Sequence, residues 1–340
     1  MVYSFELFKH ANIRYRDAVT CLARCELQSM LRSLSVSAEI VPGHLGGAVF
    51  LTFACRELSE EELSYLSGHS SLVFLSENRG GLLRPLSFGS SSYLPDDLPE
   101  ILKFKGKTNV LFTRMMINTA LSLTPFRTSA SPPLVFDPVC GKATACFCAL
   151  TAGMNSVGVD ANAKYLSEAS DYFTRYLKFH KLKHEVRTHS ETFRHSALPV
   201  TDFVFADSKE HFLSRDTRSL TLCCADTGAS PALFRRRRAH VIVADLPYGV
   251  QHAPRSGQKV EPLPVFLRRV LPVWRSVLAP GGALALSFNT LILPSSAVRD
   301  ALESAGFSVL SDEAYTGLRH EVEQAVVRDV IFALNSEEES

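Results

Sequence analysis

Apolar residues along the chain fall into two textures, and the change between them comes near residue 134. In the first texture, residues 2–8 read as a strand. Residues 15–34 then place Val19, Leu22, Leu27, Met30, Leu31 and Leu34 at helical spacing. Residues 48–54 are an apolar run behind Gly46-Gly47, which predicts a strand leaving a turn. In Ser59-Glu60-Glu61-Glu62 a capping hydroxyl precedes acids that suit the positive end of a helix. Residues 71–75 form the next strand. The order β-α-β-α-β predicts a small α+β, ferredoxin-like domain over residues 1–84. Clusters of Pro, Gly and Ser mark 85–111 as a linker. Helical periodicity resumes at 112–123 and opens a second domain, 112–340.

In the second texture apolar β-runs alternate with helical stretches, the signature of an α/β parallel sheet. The runs are 134–136, 156–159, 220–224, 240–244, 283–288, 307–310 and 326–334. They predict a seven-stranded Rossmann-like sheet. The stretch 183–218 is longer than one crossover needs, and the β-like alternation of 200–206 predicts an inserted hairpin there.

Composition narrows the field. The chain has 340 residues, 46% of them hydrophobic, and a formal net charge of +1. That is a globular composition with length for about two domains. The balanced charge offers no global cationic field, so any nucleic-acid contact has to come from local patches. Eight cysteines form no C-x-x-C pair, and no His cluster stands at zinc spacing, so reduced core thiols and no metal are expected. A basic-then-apolar leader and a run of membrane length are both lacking, so a cytoplasmic protein without a membrane contact is expected.

Four acids stand at the ends of successive predicted strands. The first opens Asp137-Pro138-Val139-Cys140-Gly141-Lys142-Ala143-Thr144, a strand end, a tight turn and a helix start. Ligands of open α/β sheets bind outside the carboxyl ends of the strands, and small residues let the backbone approach them. An acid there suits a cationic ligand, and helix-start amides suit a carboxylate. S-adenosylmethionine (SAM) carries both charges. Asp160, followed by Ala161, ends the next run in Val157-Gly158-Val159-Asp160, placed to accept from ribose hydroxyls or to cap a helix. Asp226, followed by Thr227, ends the third in Cys223-Cys224-Ala225-Asp226. It suits the adenine amino group or a turn cap.

The fourth acid belongs to Asp245-Leu246-Pro247-Tyr248-Gly249, directly behind the apolar run Val241-Ile242-Val243-Ala244. An amino group on a base or carboxamide is a poor nucleophile, because its lone pair is delocalised. A site that accepts both N–H bonds, from the Asp245 side chain and a backbone carbonyl such as that of Leu246, turns the lone pair toward a methyl donor. Tyr248 can stack on the ring, worth ~1–3 kcal/mol, while Pro247 stiffens the strip.

With these motifs in view, residues 110–340 resemble the THUMP-associated RNA guanine-N2 methyltransferases, class I SAM-dependent enzymes that carry D-P-x-C-G-x-G-T and later D-P-P-Y-G. Phe112-Thr113-Arg114-Met115-Met116-Ile117-Asn118 also resembles the helix ahead of that group's first motif, and Leu278-Ala279-Pro280-Gly281-Gly282 resembles the pre-strand turn of the wider class. The resemblance implies SAM bound by the first motif, Asp160 and Asp226, and catalysis at Asp245, Leu246, Pro247 and Tyr248. It implies RNA, tRNA foremost, as substrate, and eukaryotic relatives can need a small activating subunit. Ala143 stands where the group has its second glycine, and Leu246 where it has its first proline. The first hundred residues resemble the ferredoxin-like half of the group's RNA-binding region and are too short to include the THUMP module.

Other features carry less. Lys105, Lys107 and Arg114, in or just after the linker, are candidates for substrate contact, as is His252 beyond the strip. The polar, proline-bearing stretch 252–264 reads as a substrate loop. Arg235-Arg236-Arg237-Arg238 is read as a solvated surface. Two other functions fit the same motifs: a DNA amino-methyltransferase working on a flipped base, and a non-catalytic RNA-binding or scaffold protein on the same fold.

Overall fold

Two sheets and the helices between them take up the apolar runs. The structure, a computed structural model, describes residues 1–10, 13–87, 92–104, 107–246, 255–256, 259–323 and 325–336. The first unit runs β1 (Val2–Leu7), α1 (Ile13–Ser33), β2 (Ile40–Leu45), β3 (Ala48–Ala54), α2 (Glu60–Ser67), β4 (Leu72–Arg79) and β5 (Leu82–Pro85). Its sheet is antiparallel in the order β2-β3-β1-β4-β5. The Ser59 signal is realised as a full capping box: the Ser59 hydroxyl accepts from the Glu62 N–H, and the Glu62 carboxylate accepts from the Ser59 N–H. The two edge strands, β2 and β5, were absent from the sequence expectation. Each contains proline and is largely exposed, so neither shows the alternation of a half-buried strand.

A second, larger sheet follows. The chain passes through α3 (Leu98–Ile101), α4 (Val110–Ser122), β6 (Leu134–Asp137), α5 (Thr144–Thr151), β7 (Asn155–Asp160), α6 (Ala163–Phe179), β8 (His184–Phe193), β9 (Ser196–Phe205), α7 (Lys209–Leu213), β10 (Arg218–Cys224) and β11 (Ala239–Asp245). It continues through β12 (Arg255–Ser256), β13 (Lys259–Val260), α8 (Leu263–Val277), β14 (Leu278–Asn289), α9 (Ser295–Ser304), β15 (Ser308–Val309), β16 (His320–Glu323) and β17 (Val326–Leu334). The order is β15-β17-β14-β11-β6-β7-β10-β9-β8, with β16 beside β17. β10, β7, β6, β11 and β14 are parallel, and β17 runs against β14. The sheet therefore has ten strands rather than seven. The hairpin β8–β9 extends the edge at β10, and β16 folds back on β17. The expected turn at 278–282 is instead drawn into β14, where Gly281 donates to the Asn335 carbonyl. Part of the expected substrate loop is a short ladder, β12–β13.

The crossover between β6 and its neighbours fixes the site. The chain winds one way from β6 to β7 and β10 and the other way to β11 and β14, so the carboxyl ends of β6 and β11 are a topological switch point, the place where open α/β sheets bind ligands in a crevice. One face of the sheet packs on α8 and α9 around the fully buried Trp274. Against the other lies α4, whose Phe112, Met115 and Met116 join one apolar cluster with Phe5 and Leu27 of the first unit and Val243 and Ala285 of the sheet. A buried carboxylate tightens the same seam. Glu26 accepts from the Ser70 N–H at 2.8 Å and the Asn118 amide at 2.7 Å, so α1, the turn into β4 and α4 share one acceptor. Among the described residues, no helix is long and apolar enough to cross a membrane.

Gly158 on β7 is set by close approach. A Cβ there would lie 2.9 Å from the sulfurs of both Cys140 and Cys146. Gly158→Ala is expected to destabilise the protein by about 1–3 kcal/mol, read as a lower urea midpoint at unchanged slope. A midpoint equal to wild type would show that α5 is not seated as tightly as described.

Candidate active site

Parallel strands bring their carboxyl ends to one edge, so the acids that end β7, β6 and β11 become neighbours there. Asp137 is buried and accepts from the Val139 N–H at 3.1 Å. Burial pushes its carboxyl well above the usual carboxylate range, and the charges of Asp160 and Asp245 push it further. After it the backbone turns left-handed twice, at Gly141 (φ 52°) and Ala143 (φ 65°), before α5 begins at Thr144. Among the described residues, nothing lies within 4 Å of a Cβ placed on Gly141. Ala143, fully buried, holds a conformation that disfavours L-residues by about 1–2 kcal/mol. Pro138 and Cys140 are buried beneath the turn, and the Cys140 N–H donates to the Val159 carbonyl at 3.0 Å.

Asp160 ties that turn to β7. One of its carboxylate oxygens accepts from the Gly141 N–H and the other from the Asn162 N–H, both at 2.8 Å. Asn162, not Asp160, caps α6. Ala161 is exposed beside it. Lys142, between the two left-handed residues, is ion-paired with Glu168 and lies 4.9 Å from the ring of the linker's Phe104.

At the end of β10, Asp226 accepts from the Gly228 N–H at 2.8 Å, capping a 3-10 turn. It also takes both arms of Arg269, at 2.7 and 3.2 Å, and the same guanidinium grips Glu261. Any ligand amine at Asp226 shares it with Arg269. Thr227 is buried, its hydroxyl accepting from the Trp274 indole N–H at 2.9 Å.

Asp245 pairs in register with Ser287 of β14. Its Oδ1 accepts from the Ser287 hydroxyl at 2.7 Å, and its Oδ2 accepts from the Thr108 hydroxyl at 2.5 Å. Arg328, side chain 2% exposed, stands 3.4 Å from Oδ2 and lies over the Phe112 ring. Leu246 donates its N–H to the Ser287 carbonyl at 2.8 Å, a bond that a proline at this position could not make. Its side chain is buried in the core beside α8. Pro247, Tyr248, His252 and Lys105 lie outside the described residues.

The linker therefore crosses the sheet edge at Thr108, beside Asp245. Beside it a cavity of about 490 Å³ opens between Phe8 and Leu72 of the first unit and Lys103 and Lys107 of the linker. Lys107 is committed: its ammonium donates to the carbonyls of Pro99 at 2.5 Å and Glu100 at 3.2 Å. Arg114 is ion-paired with Asp96 at 3.1 Å. In the arginine run, Arg235 donates to the Thr192 carbonyl and Arg237 to the Thr221 hydroxyl.

Sequence reasoning missed Thr108, Ser287, Arg328 and Arg269. Arg328 had a signal, since an arginine inside the apolar run of β17 implies a buried anion. The other three had none, because strand register and loop path decide their positions.

No family model and no curated protein matches the chain. Solved structures do. TrmN from Thermus thermophilus is 17% identical over 87% of this chain and 59% of that one, with a TM-score of 0.41. RsmC, the T. thermophilus 16S rRNA N2 G1207 methyltransferase solved with AdoMet and guanosine, is 14% identical over 88% and 58%, with a TM-score of 0.37. The magnesium protoporphyrin IX methyltransferase ChlM from Synechocystis, with SAM bound, is 14% identical over 68% and 87%, at 0.38. This chain spans just under three-fifths of the first two structures. No activity follows from likeness at this level.

Asp245→Ala removes the carboxylate that faces a buried guanidinium and two hydroxyls. A loss of about 1.5–3 kcal/mol of stability is expected, the scale of a hydrogen bond to a charged group. Urea unfolding checks it, and an unchanged midpoint would mean that Arg328 does not depend on Asp245.

Proposed function

We propose that this chain is a SAM-dependent methyltransferase acting on the exocyclic amino group of a nucleobase, guanine N2 in RNA foremost, with tRNA as the favoured substrate. What carries the reading is the convergence of Asp137, Asp160 and Asp245 at the crevice, where Asp137 is held above its ordinary pKa by burial and by two like charges. Such a site calls for a cation. The residues fit SAM in kind: carboxylates for its sulfonium and ammonium, no described residue crowding Gly141, and backbone amides at the start of α5 for its carboxylate. When bound, SAM supplies the electrophilic methyl group.

The chain's own residues do the rest. Asp245 accepts one N–H of the substrate amine and the Leu246 carbonyl the other, which turns the nitrogen lone pair toward the methyl donor. Tyr248 stacks on the base and Pro247 keeps the strip stiff. Asp160 takes the ribose hydroxyls. Asp226, already shared with Arg269, takes the adenine amino group. Residues 1–84 form the RNA-side domain, and the cavity beside Thr108, lined in part by Lys107 and Arg114, gives the base its approach; Lys105 and His252 are further candidates for substrate contact.

Asp137 sets the pH dependence. In the free protein its raised pKa favours the protonated acid, and a bound cation favours the carboxylate, so binding releases a proton. SAM affinity should therefore rise as pH rises through the titration of Asp137, above the usual carboxylate range, and Asp137→Asn should both weaken binding and flatten the dependence. Calorimetry in buffers of different ionisation enthalpy checks this. No measurable SAM binding would favour a scaffold and end the enzyme reading.

The activity test is mass spectrometry of modified nucleosides in RNA and DNA from cells with and without the gene. Loss of an N2-methylguanosine is the expected result, restored by the wild type and not by Asp245→Asn. Loss of a methylated DNA base would move the substrate to DNA.

A further inference from the structure

The carboxylate of Asp245 is already gripped from three sides, by segments far apart in the chain. Thr108 comes from the linker, Ser287 from β14 and Arg328 from β17. Two oxygens offer about four acceptor sites. On Oδ2, the Thr108 hydroxyl takes one at 2.5 Å and the Arg328 guanidinium faces the other at 3.4 Å. On Oδ1, Ser287 takes one at 2.7 Å. Among the described residues no other donor takes the fourth site, on Oδ1, which the proposed reaction gives to the incoming amine.

We infer that Thr108 and Arg328 are positioning residues, which turn Asp245 so that Oδ1, rather than Oδ2, accepts the substrate N–H. The inference rests on the proposed reaction and adds to it the orientation of the acid and the residues that set it. A lone aspartate at a strand end can rotate about χ1 and χ2. With Oδ2 tied to the linker on one side and to β17 on the other, this one has a single orientation.

Arg328 is itself held. It is 2% exposed, its guanidinium lies 5.0 Å from the Phe112 ring centre, and in the ladder it stands opposite His320, whose ring also packs on Phe112 at 5.2 Å. Phe112 belongs to the first turn of α4, which Asn109 caps one residue after Thr108. The linker's last residues and the start of α4 thus hold both anchors, Thr108 directly and Arg328 through the Phe112 ring. This gives the residue types a reason: a β-branched hydroxyl with few rotamers at 108, and a planar, forked cation at 328.

Thr108→Val keeps the shape and removes only the donor. Tritium-labelled SAM and RNA from cells lacking the gene provide the assay, and the SAM dissociation constant is followed by calorimetry. Thr108→Val should lower kcat by about tenfold to a hundredfold, the cost of a misplaced reacting group, with KM for RNA and SAM affinity within about twofold of wild type. Thr108→Ser should restore most of kcat. Arg328→Lys should retain more kcat than Arg328→Met. A crystal structure of Thr108→Val should show Asp245 in a second rotamer.

Wild-type kcat in Thr108→Val, or an unmoved Asp245 in its structure, would overturn the inference while leaving the methyltransferase reading intact. A wild-type protein that binds no SAM and transfers no methyl group would overturn that reading first, and this inference with it.

Discussion

Like charges brought together at one edge of a sheet are the constraint on which the rest of the molecule turns. Parallel winding puts the carboxyl ends of β7, β6 and β11 side by side, and each of those strands ends in an aspartate. Repulsion and desolvation both oppose three buried or half-buried carboxylates. The fold answers with a different device at each. Asp160 takes two backbone N–H groups, and Asp245 takes two hydroxyls and a guanidinium. Asp137 is answered by the Val139 N–H and by an elevated pKa. A compact cation over the Gly141 turn would complete the balance, which is why the site is read as a place for a sulfonium.

Much of this was legible in the sequence, because strand ends are. An apolar run that stops at an acid places the acid at the sheet edge, and Asp137, Asp160, Asp226 and Asp245 all stand there. The runs were also right in order, and Ser59 announced its capping box through Glu62. Illegible were the elements without alternation, the edge strands β2 and β5 and the short β16, and every partner supplied by register or by loop path. Ser287 reaches Asp245 only because β14 pairs with β11 in one register. Thr108 reaches it only because the linker crosses the sheet edge on its way to α4.

The two departures from the expected motifs have physical readings. At position 143 an alanine adopts the left-handed conformation that a glycine would hold without strain, so the turn is kept at a cost in energy. At 246, leucine in place of proline restores an N–H, and that N–H bonds the Ser287 carbonyl. The strip therefore leaves β11 still paired to β14, and the same serine steadies both the strip's backbone and its acid. The first unit is bound into this arrangement by the α4 seam, where Phe112 and Met115 of the helix share a core with Phe5. The first unit and the sheet that carries Asp245 are then joined through one apolar core.

A crystal structure of the protein with SAM bears most directly on the central claim. The account predicts the ligand in the crevice at the ends of β6 and β11, its sulfonium beside the carboxylates of Asp137 and Asp245, and its methyl group aimed toward the Asp245 strip. A ligand lodged elsewhere, or a crevice that stays closed by its own side chains at saturating SAM, would contradict it.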